Sequence, residues 1–158
     1  MTADNRMSAL KWIDLPPVWL VGFLVIAWVQ SSRQSLGLGF GGGWAQFVGG
    51  LLVGGGILLM VLALVEFRKH RTTPVPHHTP DRMIQSGIFS RTRNPIYLGD
   101  ALVLTGLILR WDAVLALPLV PIFVWMIEKR FVIPEENRMR RVFRADFARY
   151  TEKVRRWI

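Results

Sequence analysis

The chain contains no cysteine, which excludes disulfide frameworks, thiolate metal sites and cysteine nucleophiles. Charge is missing from two long stretches: no Asp, Glu, Lys or Arg falls from Leu15 to Ser32, and none from Gln34 to Val65. Acidic residues are scarce as well, 11 against 20 lysines and arginines. The first residues lack a basic segment followed by a short apolar core and a small-residue cleavage site, so a cleavable leader is not expected. His70, His77 and His78 lack the i, i+4 spacing of a helical zinc pair and any matching set of carboxylates, and read as solvated loop histidines. No nucleophile elbow supports Ser/His/Asp chemistry. The "GLGFGGG" run has no Lys-Ser/Thr to make it a phosphate loop, and reads as a flexible turn.

What is present is apolar surface bordered by positive charge. Of 158 residues 51% are hydrophobic, yet the formal charge is +9. Apolar runs longer than about 18 residues read as membrane helices. Four spans are expected, at about 16–31, 44–66, 96–110 and 112–131, in a single all-α membrane domain covering 1–158. Only Arg33 and Arg110 fall in the first and third connections; the other 18 basic residues lie at the N-terminus, in the 67–94 loop or beyond residue 127. An even number of spans puts those three regions on one side, the cytosolic side by the positive-inside rule. Both termini are therefore expected in the cytosol, and the basic residues are not read as a nucleic-acid footprint. The glycines of "GGLLVGGG" at 49–56 suit close helix packing.

The last two spans are joined by Arg110, Trp111 and Asp112 alone, which predicts a tight helical hairpin. From Ala113 to Ile127 there are 15 uncharged residues, or roughly 22 Å of helix against roughly 30 Å of hydrocarbon. Helix four should thus continue beyond the membrane with Glu128, Lys129 and Arg130 at its boundary. In the tail, Met139, Val142, Phe143, Phe147, Tyr150, Val154 and Trp157 recur at helical spacing, predicting an amphipathic cytosolic helix. It could lie on anionic lipid or pack over the ends of the spans.

The hairpin's cytosolic rim collects the remaining polar candidates. Arg93, Asn94, Pro95 and Tyr97 stand at its start, Gly99 and Asp100 one turn deeper, and Glu135 and Glu136 beyond its end. A hairpin brings its two ends together, so these groups should be neighbours. Asn94 and Pro95 have the residue types of an N-cap and a first helical position. Asp100 is the costly one, because an acid inside an apolar run usually faces a partner or a cavity.

The strings "SGIFSRTRNPIYLG" and "EENRMRRVFRADFARYTEKVRRW" resemble the isoprenylcysteine carboxyl methyltransferase-like family of integral membrane methyltransferases, whose relatives include phospholipid methyltransferases and NnrU-like proteins. The resemblance covers roughly residues 72–158; the first two spans match only as generic membrane helices. It departs from the family pattern at Asn94 (commonly histidine), Phe89 (tyrosine), Arg144 (glycine) and Phe147 (tyrosine). It implies S-adenosylmethionine as cofactor. By position, Asp81, Arg82, Met83 and Ile84 would line it from the loop, with Phe89 behind them. Asn94, Pro95, Ile96, Tyr97 and Gly99 would form the next wall, and Glu135 would hold the amino group. Arg93, with the start of span three, suits the cofactor's carboxylate. Glu136 and Arg130 are implied on the catalytic, acceptor side, with the family register at Arg130 displaced by one.

These expectations describe a multi-pass protein of a prokaryotic inner membrane that methylates a lipophilic acceptor. Prenylcysteine carboxylate, lipid amine, quinone-like lipid and thiol all remain open, as does the oligomeric state. Two alternatives stand beside this reading: an NADPH-dependent membrane reductase of the sterol-reductase kind, and a non-catalytic membrane adaptor with the same fold. Metal is not expected.

Overall fold

Prolines open three of the helices, where a missing N–H and a fixed φ cost nothing. The computed structural model describes residues 15–33, 37–72 and 82–158. Helix α1 (Pro16–Ser32) starts on Pro16, α2 runs Gly43–Lys69, and α3 (Pro95–Arg110) starts on Pro95. After a 3₁₀ turn at Val114–Ala116 come α4 (Leu119–Ile127), a π-helical turn at Glu128–Val132 and α5 (Ile133–Lys153). Another 3₁₀ turn, Gly87–Ser90, lies in the loop before α3. No strand occurs among the described residues.

Helix α2 is the one helix among the described residues long and apolar enough to cross a membrane. A core helix of a water-soluble protein would be mostly buried; only 17% of the most apolar window of α2 is covered by the rest of the chain. Phe47, Leu51, Leu58 and Val61 face outward, as do Val21, Val25 and Trp28 of α1. Exposed apolar residues on this scale need a cover that the described chain does not supply.

The most extensive packing joins α2 to α3. It is made possible by glycines two turns apart on each helix. A Cβ at Gly49 would lie 2.6 Å from the Gly106 carbonyl oxygen, and one at Gly56 would lie 2.6 Å from that of Gly99. The two backbones touch where side chains are absent, an antiparallel version of small-residue packing. On its other face, α3 presents Tyr97, Ala101, Leu104 and Ile108 to a core completed by Ala27, Phe123, Ile127, Phe131 and Val132.

The expected hairpin differs in its second arm. The connection after α3 runs from Trp111 to Pro118 and includes the 3₁₀ turn, so regular helix begins at Leu119 rather than near 112. Asp112 turns the chain at φ 54°. Pro118 caps α4 and Pro121 falls in its first turn, where no backbone donor is required. The prolines therefore delay the helix instead of kinking it. At the far end the helix continues beyond Ile127, as expected. The π-helical turn ends just before Pro134, which cannot donate to the Arg130 carbonyl.

Beyond Lys153 the chain leaves the helix and folds back on the start of α3. The Arg93 amide donates to the Arg155 carbonyl at 3.1 Å. Thr92 Oγ1 and Asn94 Nδ2 donate to the Arg156 carbonyl at 3.2 and 3.1 Å.

Candidate functional site

The loop before α3 is fastened to the end of α2 through Glu66. This carboxylate is buried, accepts from Ser86 Oγ at 2.6 Å and Lys69 Nζ at 2.8 Å, and sits beside His70. Gly87, at φ 57°, passes so close that a Cβ there would lie 2.5 Å from the Glu66 carboxyl. Only glycine has both the conformation and the room. Below the turn, Ile84 and Phe89 pack with Ala63, Phe67, Ile88 and Ile96, and the Phe67 and Phe89 rings meet edge to face with centroids 5.5 Å apart.

Helix α5 closes over this loop. Phe147, Tyr150 and Val154 pack with Met83, Met139 and Phe143, and the Tyr150 hydroxyl donates to the Phe89 carbonyl at 2.6 Å. Burial pushes the Tyr150 phenol up, so it remains a donor. Most of the apolar face expected in the tail is thus turned onto the protein. Val142 is the exception, half-exposed on the other side.

Three glutamates then meet the start of α3 and the C-terminal segment. Arg156 grips Glu136 with two bonds, Nε to Oε1 at 3.1 Å and Nη2 to Oε2 at 2.8 Å. Its Nη1 donates to Glu128 Oε1 at 2.7 Å, and Trp157 Nε1 reaches Glu128 Oε2 at 3.2 Å. The bond to Glu136, with both carboxylate charges, pushes Arg156 up and keeps it a cation. Arg93 approaches Glu136 at 3.4 Å from the other side. Glu135 turns the opposite way: Tyr97 Oη donates to its Oε2 at 3.3 Å. That bond joins the start of α3 to the start of α5, 38 residues apart.

Some of the residues singled out in the sequence come together here, and others are placed elsewhere. Arg93, Asn94, Tyr97, Glu135 and Glu136 converge. Met83 and Ile84 lie beneath α5 and α2 with their side chains in apolar clusters, while Arg82 is exposed. Asp81 lies outside the described residues, as do His77 and His78. Asn94 occupies the N-cap position of α3 without capping it; its amide is spent on the Arg156 carbonyl. Pro95 is fully buried, Ile96 packs on the loop, and Gly99 faces Gly56 across the α2–α3 contact. Phe89 contributes packing and a carbonyl. Arg130 sits exposed over the Trp19 ring, 5.3 Å from its centroid.

Glu66 was not singled out, Glu128 was read only as a boundary charge, and Arg156 and Trp157 only as part of the tail. The pairing of Glu128 with Arg156 depends on a chain reversal after Lys153 that helical periodicity does not announce.

Three buried polar atoms in this region have no hydrogen-bond partner within the protein: Arg93 Nε, Arg138 Nε and Asp100 Oδ2. Asp100 follows Tyr97 by three residues on α3, and Arg138 follows Glu135 by three on α5, one helical turn along in each case. Buried donors and acceptors are almost always satisfied, and exceptions commonly mark ligand sites. Two guanidinium N–H groups beside carboxylates suit a zwitterionic ligand carrying both a carboxylate and an ammonium.

A family profile described as phospholipid methyltransferase matches residues 44–146, about two-thirds of the chain, from the start of α2 to the middle of α5. No curated protein and no solved structure matches the chain.

Proposed function

The chain belongs to the phospholipid methyltransferase family, and from that premise we propose that it moves a methyl group from S-adenosylmethionine to a lipid-type acceptor at the rim where α3, α5 and the C-terminal segment meet. The observation that carries this reading is the Tyr97–Glu135 bond, which ties the start of α3 to the paired acids at the start of α5. S-adenosylmethionine supplies an activated methyl on a sulfonium, displaced in line by a nucleophile. The residues present fit that group. Glu135, oriented by Tyr97, receives the ammonium of its methionine portion. The unpartnered Nε–H groups of Arg93 and Arg138 receive its carboxylate. Phe131, whose ring centroid lies 6.4 Å from that of Tyr97, gives the wall an aromatic face beside a positively charged ligand.

In-line displacement needs alignment more than acid–base machinery. The chain's contribution is therefore a stiff cup. Glu136 and Glu128 are committed to Arg156, and act by holding the C-terminal segment that closes the rim. Arg130, over Trp19, stands on the acceptor side. In this reading α1 to α4 cross the membrane, the excess of Lys and Arg beside the rim supports a cytosolic position for it, and an apolar acceptor arrives from the bilayer.

The test is cofactor binding by the detergent-solubilised protein. Wild type should bind S-adenosylmethionine and not NADPH. Glu135→Ala should weaken binding by about 100-fold, as expected for loss of a charge-paired contact, while its unfolding temperature stays put. Unchanged affinity in that variant counts against the site, and preferential NADPH binding counts against the reaction. Transfer of labelled methyl into a native lipid extract would then identify the acceptor.

A further inference from the structure

Glu66 stands where a carboxylate is disfavoured on two counts. It lies in the last turn of α2, at the negative end of the helix dipole, where Arg68 and Lys69 are the residues the field prefers. It is also only 4% exposed, and a buried charge is costly unless it is paired and hydrogen-bonded. An apolar side chain would continue the run of Leu64 and Val65 with neither cost. The acid is accommodated by Lys69 Nζ, which donates to Oε1 at 2.8 Å, and Ser86 Oγ, which donates to Oε2 at 2.6 Å. His70 Nδ1 stands 3.8 Å from Oε2. Lys69 and His70 adjoin it on the same stretch of chain, so among the described residues Ser86 is its tie to another part of the protein.

That tie falls on the segment leading into α3. Ile84 and Phe89 of this segment pack on Ala63 and Phe67, which flank Glu66 on α2. Apolar contact is non-directional and leaves the segment free to shift along the helix. Directional bonds hold it from three sides. Tyr150 of α5 donates to the Phe89 carbonyl, the Arg155 carbonyl of the C-terminal segment accepts from the Arg93 amide, and Glu66 of α2 accepts from Ser86. Gly87, in its left-handed conformation, bends the backbone against the Glu66 carboxyl so closely that no side chain fits between them. The segment is shaped to this acid.

We infer that Glu66 is a positioning residue for the methyl donor. It sets the register of residues 83–89 against α2, and so acts on the cup through the loop without touching the donor. This rests on the methyltransferase reading above, with the loop that carries Met83, Ile84 and Phe89 bordering the donor. In-line displacement tolerates little misplacement of its reactants. When a binding-competent arrangement is populated only part of the time, apparent affinity falls in proportion to that fraction. Loss of the Glu66–Ser86 bond therefore appears in donor affinity. The rate at saturating donor changes little, because a bound donor holds the loop by its own contacts.

The test uses the whole protein in neutral detergent, with S-adenosylmethionine as probe and hydrogen exchange as a readout that needs no donor. Ser86 is exposed, so Ser86→Ala removes the bond without disturbing a core. It should raise the Kd for S-adenosylmethionine by about tenfold, the loss expected if the loop keeps its register roughly one-tenth of the time. Ser86→Thr keeps the hydroxyl and Glu66→Gln keeps an oxygen to accept from it, so both should bind the donor within about threefold of wild type. Methyl transfer into native lipid extract at saturating donor should also stay within about threefold in Ser86→Ala. Without donor, amides of 84–90 should exchange faster in Ser86→Ala while those of 99–106 keep their protection. Wild-type donor affinity in Ser86→Ala overturns the proposal, and so does a loss that Ser86→Thr and Glu66→Gln share. A lower saturated rate with donor affinity unchanged overturns it by placing the bond in the chemical step. Loss of protection that extends to 99–106 overturns it by marking the bond as purely structural. Failure of wild type to bind S-adenosylmethionine counts against the methyltransferase reading instead, and the exchange at 84–90 still reports whether Glu66 sets the loop.

Discussion

Arg144 is held at φ 41° and ψ −111° within a run that is otherwise helical. Its Cβ pays a steric penalty there that glycine does not, because positive φ is the region an L side chain avoids. Arg144→Gly should therefore raise stability by about 1 kcal/mol, read as a higher midpoint of thermal unfolding in detergent; an unchanged or lower midpoint would show that the arginine side chain contributes more than the strain removes. This position was legible in the sequence as a departure, an arginine where the resembled family has glycine, although nothing in the chain said that the helix breaks there. The paired acids were legible in a similar half-measure. Their convergence with Tyr97 follows from bringing two helix ends together, but the division of labour between them does not. Glu136 was expected on the acceptor side, and instead it is gripped by Arg156 and approached by Arg93. That arrangement depends on where the last five residues go, which no local pattern specifies.

At the scale of elements, the α2–α3 contact explains why one helix carries so many glycines and needs only some of them. The run at 49–56 was readable as a packing device, because small residues are the means by which helices approach closely in an apolar medium. Which glycines face the partner was not readable until the seven-residue spacing on α2, Gly49 and Gly56, is set against the same spacing on α3, Gly99 and Gly106. Gly54 and Gly55 have nothing within 4 Å of a prospective Cβ. Gly56→Val should consequently cost about 2–3 kcal/mol by forcing the helices apart, while Gly54→Val should leave the unfolding midpoint within about 0.5 kcal/mol of wild type. Equal effects at the two sites would mean that the glycines matter for backbone freedom and not for contact. The fourth span was the element read least well. Its apolar composition extends to Ala113, but composition does not register that Pro118 and Pro121 must be placed before the first hydrogen-bonded turn. The chain meets that demand by starting the helix late.

For the whole molecule, the C-terminal segment is the piece that turns a set of helices into a site. It uses two kinds of contact, and they can be separated. Backbone carbonyls of Arg155 and Arg156 accept from Arg93, Thr92 and Asn94, holding the turn that leads into α3. The Arg156 side chain, by contrast, ties Glu136 and Glu128 together across the start of α5. Arg156→Ala removes the second and keeps the first. It leaves the carboxylate of Glu136, 8% exposed, with Arg93 alone, and breaking such a pair from one side should cost about 3 kcal/mol. Ending the chain after Val154 removes both kinds of contact, and the Thr92 and Asn94 donors then have to find water in a buried turn. Hydrogen exchange should register the difference. In Arg156→Ala, amides at the start of α5 should exchange faster while those of 93–97 hold; in the truncated chain both regions should open, with α2 still protected in its packing against α3. Were the truncated chain to keep its protection at 93–97, the C-terminal segment would be a passenger on a rim that α3 and α5 already define, and the Tyr97–Glu135 bond would have to hold the cup by itself.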